Sequence, residues 1–426
     1  MTRALRATPG LLALGLLVPA LGLLAGSITL RARAPEAAPQ DQAAAAKAPS
    51  VPAPAAAPTR STPAQAEAAF KDDVHAKAGL GCDSCHGPKK ADGSYAPIAR
   101  TAIAPTCAKC HADASFMRKF APQVRVDQYA QYQTSVHGQQ MAKGETRVAT
   151  CSDCHHAHGI VQVRDTRSPV APAHVASTCA ACHADAARMT PFNRSPEVFA
   201  EWSQSVHATA LLKRGDTSAP TCSTCHGSHG ATPPGVDAVA NVCAQCHVRE
   251  AELFKGSKKK DIFAAMGQSD CLVCHSNHRI EPPDQTWIGL EGKALCATCH
   301  DDTVPGAAVI KSVRQGFDDL QLRIKDADAL LTRAENAGML IEDGKLALHD
   351  ASEAHVRMRV LVHAFAAPPF DEVLKEGVAA AEKASTVGHE AMNELQYRRR
   401  GLAVATLVIL GFLATLFVKI RKLPAI

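Results

Sequence analysis

Residues 147 to 158 read Arg-Val-Ala-Thr-Cys-Ser-Asp-Cys-His-His-Ala-His. The five from Cys151 to His155 carry the pattern Cys-x-x-Cys-His, and the rest of the chain is organised around its recurrence. Seven further copies begin at Cys82, Cys107, Cys179, Cys222, Cys243, Cys271 and Cys296. Their second cysteines, with that of the quoted copy, are Cys85, Cys110, Cys154, Cys182, Cys225, Cys246, Cys274 and Cys299. Each is followed directly by a histidine: His86, His111, His155, His183, His226, His247, His275 and His300. All 16 cysteines of the chain are used and none is left over.

Cys-x-x-Cys-His is the attachment pattern of c-type haem. Two cysteines three apart lie on one side of a helical turn, where both reach the vinyl groups. The next residue can turn an imidazole to the iron. Zinc is the rival reading, because paired Cys-x-x-Cys elements at ribbon spacing bind it, but a structural zinc site does not require His after every second Cys. A disulfide framework does not require it either. Eight histidines in eight copies therefore point to eight covalently attached haem c groups. Between residues 75 and 300 this leaves about 28 residues per motif, too few for a side-chain core around each group. Aromatics are only 4% of the chain, so the macrocycles themselves are expected to fill the interior. Two propionates per group outweigh the formal charge of +5, and the assembled domain is expected to be acidic. Nothing suggests nucleic-acid binding. The basic run Lys258 to Lys260 reads as a solvated loop.

The motifs come in pairs, as four two-haem repeats. Asp73-Val74-His75, Ser135-Val136-His137 and Ser205-Val206-His207 precede the first motif of three repeats. The fourth is read as beginning at Asp261-Ile262-Phe263, with Phe263 in the histidine's place. His158, His229 and His278 each follow an attachment histidine by three residues, a reach that suits a neighbouring iron. Together with His174, these make seven expected distal ligands: His75, His137, His158, His174, His207, His229 and His278. His156 reads as an exposed polar residue. Met117, Met141, Met189 and Met266 read as packing, and His355 and His363 as core filler. Two imidazoles leave a haem at lower potential than His/Met ligation and leave no open site for substrate.

Outside this region, residues 1 to 33 hold Arg3 and Arg6 before an apolar run, the pattern of a signal peptide or N-terminal anchor. Residues 34 to 66 form an Ala/Pro-rich spacer. An octahaem domain is expected over 67–303. Over 304–397 apolar residues recur every three or four positions in three series, with Pro368 and Pro369 stopping the second. This predicts an antiparallel three-helix bundle acting as a stalk. Gly401 to Val418 carries no charge and lies between Arg398–Arg400 and Lys419, Arg421 and Lys422, so 398–422 reads as one transmembrane helix. The fold class expected is mainly α with much irregular loop: a haem-packed domain, the helical bundle and one transmembrane helix.

The paired motifs of residues 74 to 300 resemble the doubled-CxxCH multihaem (octahaem) c-type cytochromes. That resemblance implies respiratory electron transfer, with the haem domain on the periplasmic side of the cytoplasmic (inner) membrane. The single anchor is similar to that of NapC/NirT-type quinol dehydrogenases, although theirs is N-terminal. The expected partners are redox proteins and, at the membrane, quinol or a quinol dehydrogenase. Octahaem hydroxylamine oxidoreductases and tetrathionate reductases share the haem number, but their specialised catalytic haem has no counterpart motif here. An electron carrier is thus the leading expectation, and a multi-electron reductase with one open haem the alternative.

Overall fold

The computed structural model describes residues 61–422. The expected signal or anchor segment and most of the spacer lie outside the described residues. The end of the expected spacer is helical. Pro63–Phe70 starts at a capping box in which Thr62 Oγ1 accepts from Gln65 N at 3.3 Å and Gln65 Oε1 accepts from Thr62 N at 2.9 Å. Among the described residues there are helices and loops and no strand, in keeping with the mainly-α expectation.

From residue 71 to 303 the helices are short; the longest, Arg100–His111 and Pro172–His183, have 12 residues each. Each Cys-x-x-Cys-His lies on or at the end of a helical turn, such as Asp83–His86, Cys151–His155 or Cys222–His226. Four helices repeat with one capping device: α1 (Val74–Lys77), α2 (Val136–Ala142), α3 (Val206–Arg214) and α4 (Lys258–Ala265). Their N-caps are Asp73, Ser135, Ser205 and Ser257. The backbone N–H of each cap donates to the carbonyl of an aromatic residue three positions earlier, namely Phe70, Tyr132, Trp202 and Phe254, at 2.9–3.1 Å. The first three cap side chains are buried and accept from the helix's own backbone: Asp73 from His75 N at 2.9 Å, Ser135 from Gly138 N at 3.0 Å, Ser205 from Ala208 N at 3.1 Å.

This device corrects two expectations. Lys258 to Lys260 is the first turn of α4 and not a loop. The fourth repeat therefore starts at Ser257-Lys258-Lys259, so Lys259 and not Phe263 stands where His75, His137 and His207 stand. Phe263 packs against Phe254, with ring centroids 5.6 Å apart.

The C-terminal part is the expected antiparallel bundle: α5 (Ala307–Asn336), α6 (Glu342–Leu361) and α7 (Ala367–Arg421). Pro368 and Pro369 do not end α6. They sit in the first turn of α7, where a missing N–H costs nothing. The two larger apolar clusters lie here, and a smaller one, around Trp202 and Leu211, lies in the motif region. Phe317, Phe370, Leu320, Leu331 and Met358 are the largest fully buried apolar side chains among the described residues. Glycines bring the helices close: a Cβ on Gly377 would stand 2.8 Å from Leu320 Cδ2 and 2.9 Å from Ala354 Cβ. The last part of α7 is wholly exposed, and it is long and apolar enough to cross a membrane.

Candidate haem-binding site

In the motif region none of the 16 cysteines forms a disulfide, and none is fully buried. The interior that the short helices surround is lined by histidines. Seven of the eight attachment histidines face a second imidazole. His75 faces His111 with ring centroids 5.9 Å apart, and His226 faces His278 at 6.0 Å. His86 and His158, His137 and His183, His155 and His229, and His275 and His363 stand 6.1 Å apart. His207 and His247 stand 6.3 Å apart. Rings in direct contact would not hold so constant a gap. A metal bound by two imidazoles would, because about 2 Å of metal–nitrogen bond and about 1 Å from nitrogen to ring centre on each side give about 6 Å. The spacing is uniform while the interplanar angle runs from 6° to 87°. Axial ligation constrains in the same way: it fixes the length along the axis and leaves rotation about it free.

Three of the outer nitrogens have the hydrogen-bond partners that such ligands use. Nδ1 of His75 meets Asp73 Oδ1 at 2.9 Å, that of His86 the Ala96 carbonyl at 2.8 Å, and that of His363 the Val360 carbonyl at 2.9 Å. Nε2 is then the nitrogen left to face the gap. Burial pushes the imidazole pKa down at His111, His137, His155, His158, His183, His207, His226, His229 and His275. The facing ring adds to this at seven of them; only His137 and His229 lack that contribution. Neutral imidazoles with a free lone pair are the form that binds a metal.

The pairing follows a rule. The second motif of repeats one to three faces the histidine of its own capped helix: His111 with His75, His183 with His137, His247 with His207. The first motif of each of these repeats faces the histidine that follows the next repeat's first motif: His86 with His158, His155 with His229, His226 with His278. Asp73 ties this crossing down. Its Oδ2 accepts from Ile160 N at 2.8 Å, two residues past His158, while the Ile160 carbonyl accepts from Val74 N at 2.8 Å. Repeat four has no successor, and the bundle supplies His363 to His275. His363 had been expected to be core filler. His355 does fill the bundle, edge-on to Phe317 at 5.5 Å.

His174, an expected distal ligand, forms no such pair among the described residues. Its Nδ1 lies 3.0 Å from the Ser168 carbonyl, and every attachment histidine has a different neighbour. His156 is exposed, and Met117, Met141 and Met189 are buried as packing residues. Met266 is exposed. Among the described residues His300, the eighth attachment histidine, faces no imidazole; Lys259 Nζ lies 2.7 Å from its Nε2.

The cysteines run in chain order. Cys85 lies in electrostatic range of Cys110, Cys154 of Cys182, Cys225 of Cys243 and Cys246, and Cys274 of Cys296 and Cys299. Across repeats, Cys107 adjoins Cys151, Cys179 adjoins Cys222, and Cys243 adjoins Cys271. Each motif thus adjoins the one before it and the one after it.

A model of the Cytochrome c3 family matches residues 74–184 and 215–301, a range that contains all eight motifs. The match supports a multihaem electron-transfer cytochrome with covalently bound haem c. No curated protein and no solved structure matches the chain.

Proposed function

We propose that this chain is a membrane-anchored octahaem c-type cytochrome that relays electrons on the periplasmic face of the inner membrane. The observation that carries the reading is the set of seven histidine pairs at 5.9–6.3 Å, each built on a different attachment motif. The bound haems would supply reversible one-electron exchange at iron. The chain's own residues do the rest. Sixteen thiols would tether the groups, and at seven of the eight motifs a pair of imidazoles would hold the iron from both sides. The chain-order adjacency of the cysteines keeps successive sites side by side. A site closed on both faces transfers electrons but admits no nitrite, hydroxylamine or oxygen, which favours a carrier over a reductase.

The bundle bears on the partner. Residues 367 to 400 of α7 are helical throughout, about 50 Å at 1.5 Å per residue, and the turn carrying His363 lies at the start of that length. With the span beginning near Gly401, the haem domain stands well clear of the bilayer. That distance argues for exchange with soluble redox proteins and against direct oxidation of a quinol within the membrane. The test is electron paramagnetic resonance of the oxidised holoprotein together with turnover assays. Low-spin iron only, with no reduction of nitrite, hydroxylamine or tetrathionate, supports the carrier. A high-spin iron with turnover at enzyme-like rates would make it a reductase.

A further inference from the structure

We infer that Lys259 is the distal axial ligand of the haem attached at Cys296 and Cys299, so that seven centres are bis-imidazole and the eighth is imidazole–amine. The inference rests on the reading of function above. Three independent observations carry it.

The first is register. Phe254, Ser257 and Lys259 hold the positions of Phe70, Asp73 and His75, of Tyr132, Ser135 and His137, and of Trp202, Ser205 and His207, with the same backbone bond from cap to aromatic carbonyl. In the other three repeats the residue at this position faces the attachment histidine of the repeat's second motif. Lys259 does the same, with its Nζ directed at His300 Nε2.

The second is neighbourhood. Each of the other seven attachment histidines already has an imidazole opposite it, and no other histidine faces His300 among the described residues. Phe365 backs the lysine, its ring centroid 6.0 Å from Nζ.

The third is local disagreement with helix physics. Three lysines in the first turn of α4 set cations at the positive end of the helix, where they are unfavourable. Lys260 is compensated by Asp270 at 3.0 Å, and Lys258 is exposed. Lys259 has no carboxylate partner among the described residues and points to an imidazole. Where a sequence breaks a local rule in this way, the residue serves a site.

The contact at 2.7 Å is direct, whereas a metal between the two nitrogens needs about 4 Å. The four-carbon stem of lysine can retract by that amount, as a histidine on the same backbone could not. On coordination the ammonium releases one proton to solvent, and its lone pair forms the bond to iron. No redox change is involved.

The experiment uses the full-length holoprotein, Lys259→Ala and Lys259→His, each with its haems counted by pyridine haemochrome. Near-infrared magnetic circular dichroism of the oxidised wild type should contain one imidazole–amine band among bis-imidazole bands. Lys259→Ala should lose that band, gain one high-spin iron per chain and bind one cyanide per chain. Lys259→His should move the band into the bis-imidazole set and bind no cyanide, and this variant reads the ligand exchange even if the alanine variant folds poorly. The inference is overturned if Lys259→Ala keeps its full haem complement and the wild-type low-spin spectrum. It is also overturned if the wild type already holds one high-spin iron that takes up cyanide. A wild-type chain with fewer than eight haems would instead overturn the reading of function on which the inference rests.

Discussion

His363 belongs to the bundle, yet its ring stands 6.1 Å from that of His275. His174 lies inside the motif region, yet it bonds to a backbone carbonyl and meets no attachment histidine. The two make a matched test. In the oxidised holoprotein His363→Ala should turn one iron per chain high-spin, while His174→Ala should leave the low-spin spectrum unchanged; electron paramagnetic resonance reads both. The ring angles add a second residue-scale prediction. Four pairs are near parallel, at 6°, 13°, 17° and 20°. His75 and His111 are close to perpendicular, at 87°. Ring orientation sets how strongly the iron d orbitals split. The spectrum should therefore divide into a rhombic group and a more anisotropic one. The motifs and six of the seven histidines that face them could be read from the sequence because each lies at a fixed offset from a motif or in a repeated tripeptide. His363 could not. It stands where the histidine of a fifth repeat would have stood, and nothing near it in the chain resembles a motif. Lys259 was hidden by its basic neighbours. The aromatic residue three positions before each cap, Phe70, Tyr132, Trp202 and Phe254, was the signal that fixes its register.

At the scale of elements, the capped helices present residues to the motif histidines and join repeats at once. Asp73 is the clearest case, buried at 1% exposure and accepting from His75 N, from Ile160 N and at the His75 ring. Asp73→Ala would leave buried donors without partners, at a cost of about 1–3 kcal/mol. It should lower the denaturant midpoint while the haem count stays the same. In the bundle, Gly377→Val forces new atoms against Leu320 and Ala354 and should destabilise by about 1–3 kcal/mol, seen as a lower Tm of the helical signal. The bundle was legible in the sequence because its apolar period is long and regular. The boundary between α6 and α7 was less so. A proline pair ends a helix or opens one, and only the chain's turn at Val362–Phe365, tied to the His275 site, decides which.

For the whole molecule, the division of labour is physical. The most deeply buried large apolar side chains belong to the bundle, while the motif region has one smaller apolar cluster around Trp202 and Leu211 beside its paired imidazoles and cysteines. On the proposed reading the bundle does more than support the haem region, because it sets His363 opposite His275. A chain ending at residue 397, exported behind a heterologous cleavable signal, should be recovered in the soluble fraction with the visible spectrum of the full-length protein. Persistence in the membrane fraction would argue against the C-terminal anchor. The central claim is that covalent haem, held at every Cys-x-x-Cys-His, takes the place of a side-chain core in the motif region. Intact-mass measurement of the chain matured in a host competent for cytochrome c assembly tests it most directly. The account predicts the polypeptide mass plus eight haem groups. The mass of the bare polypeptide, or one with fewer than eight groups in a folded and homogeneous preparation, would contradict it.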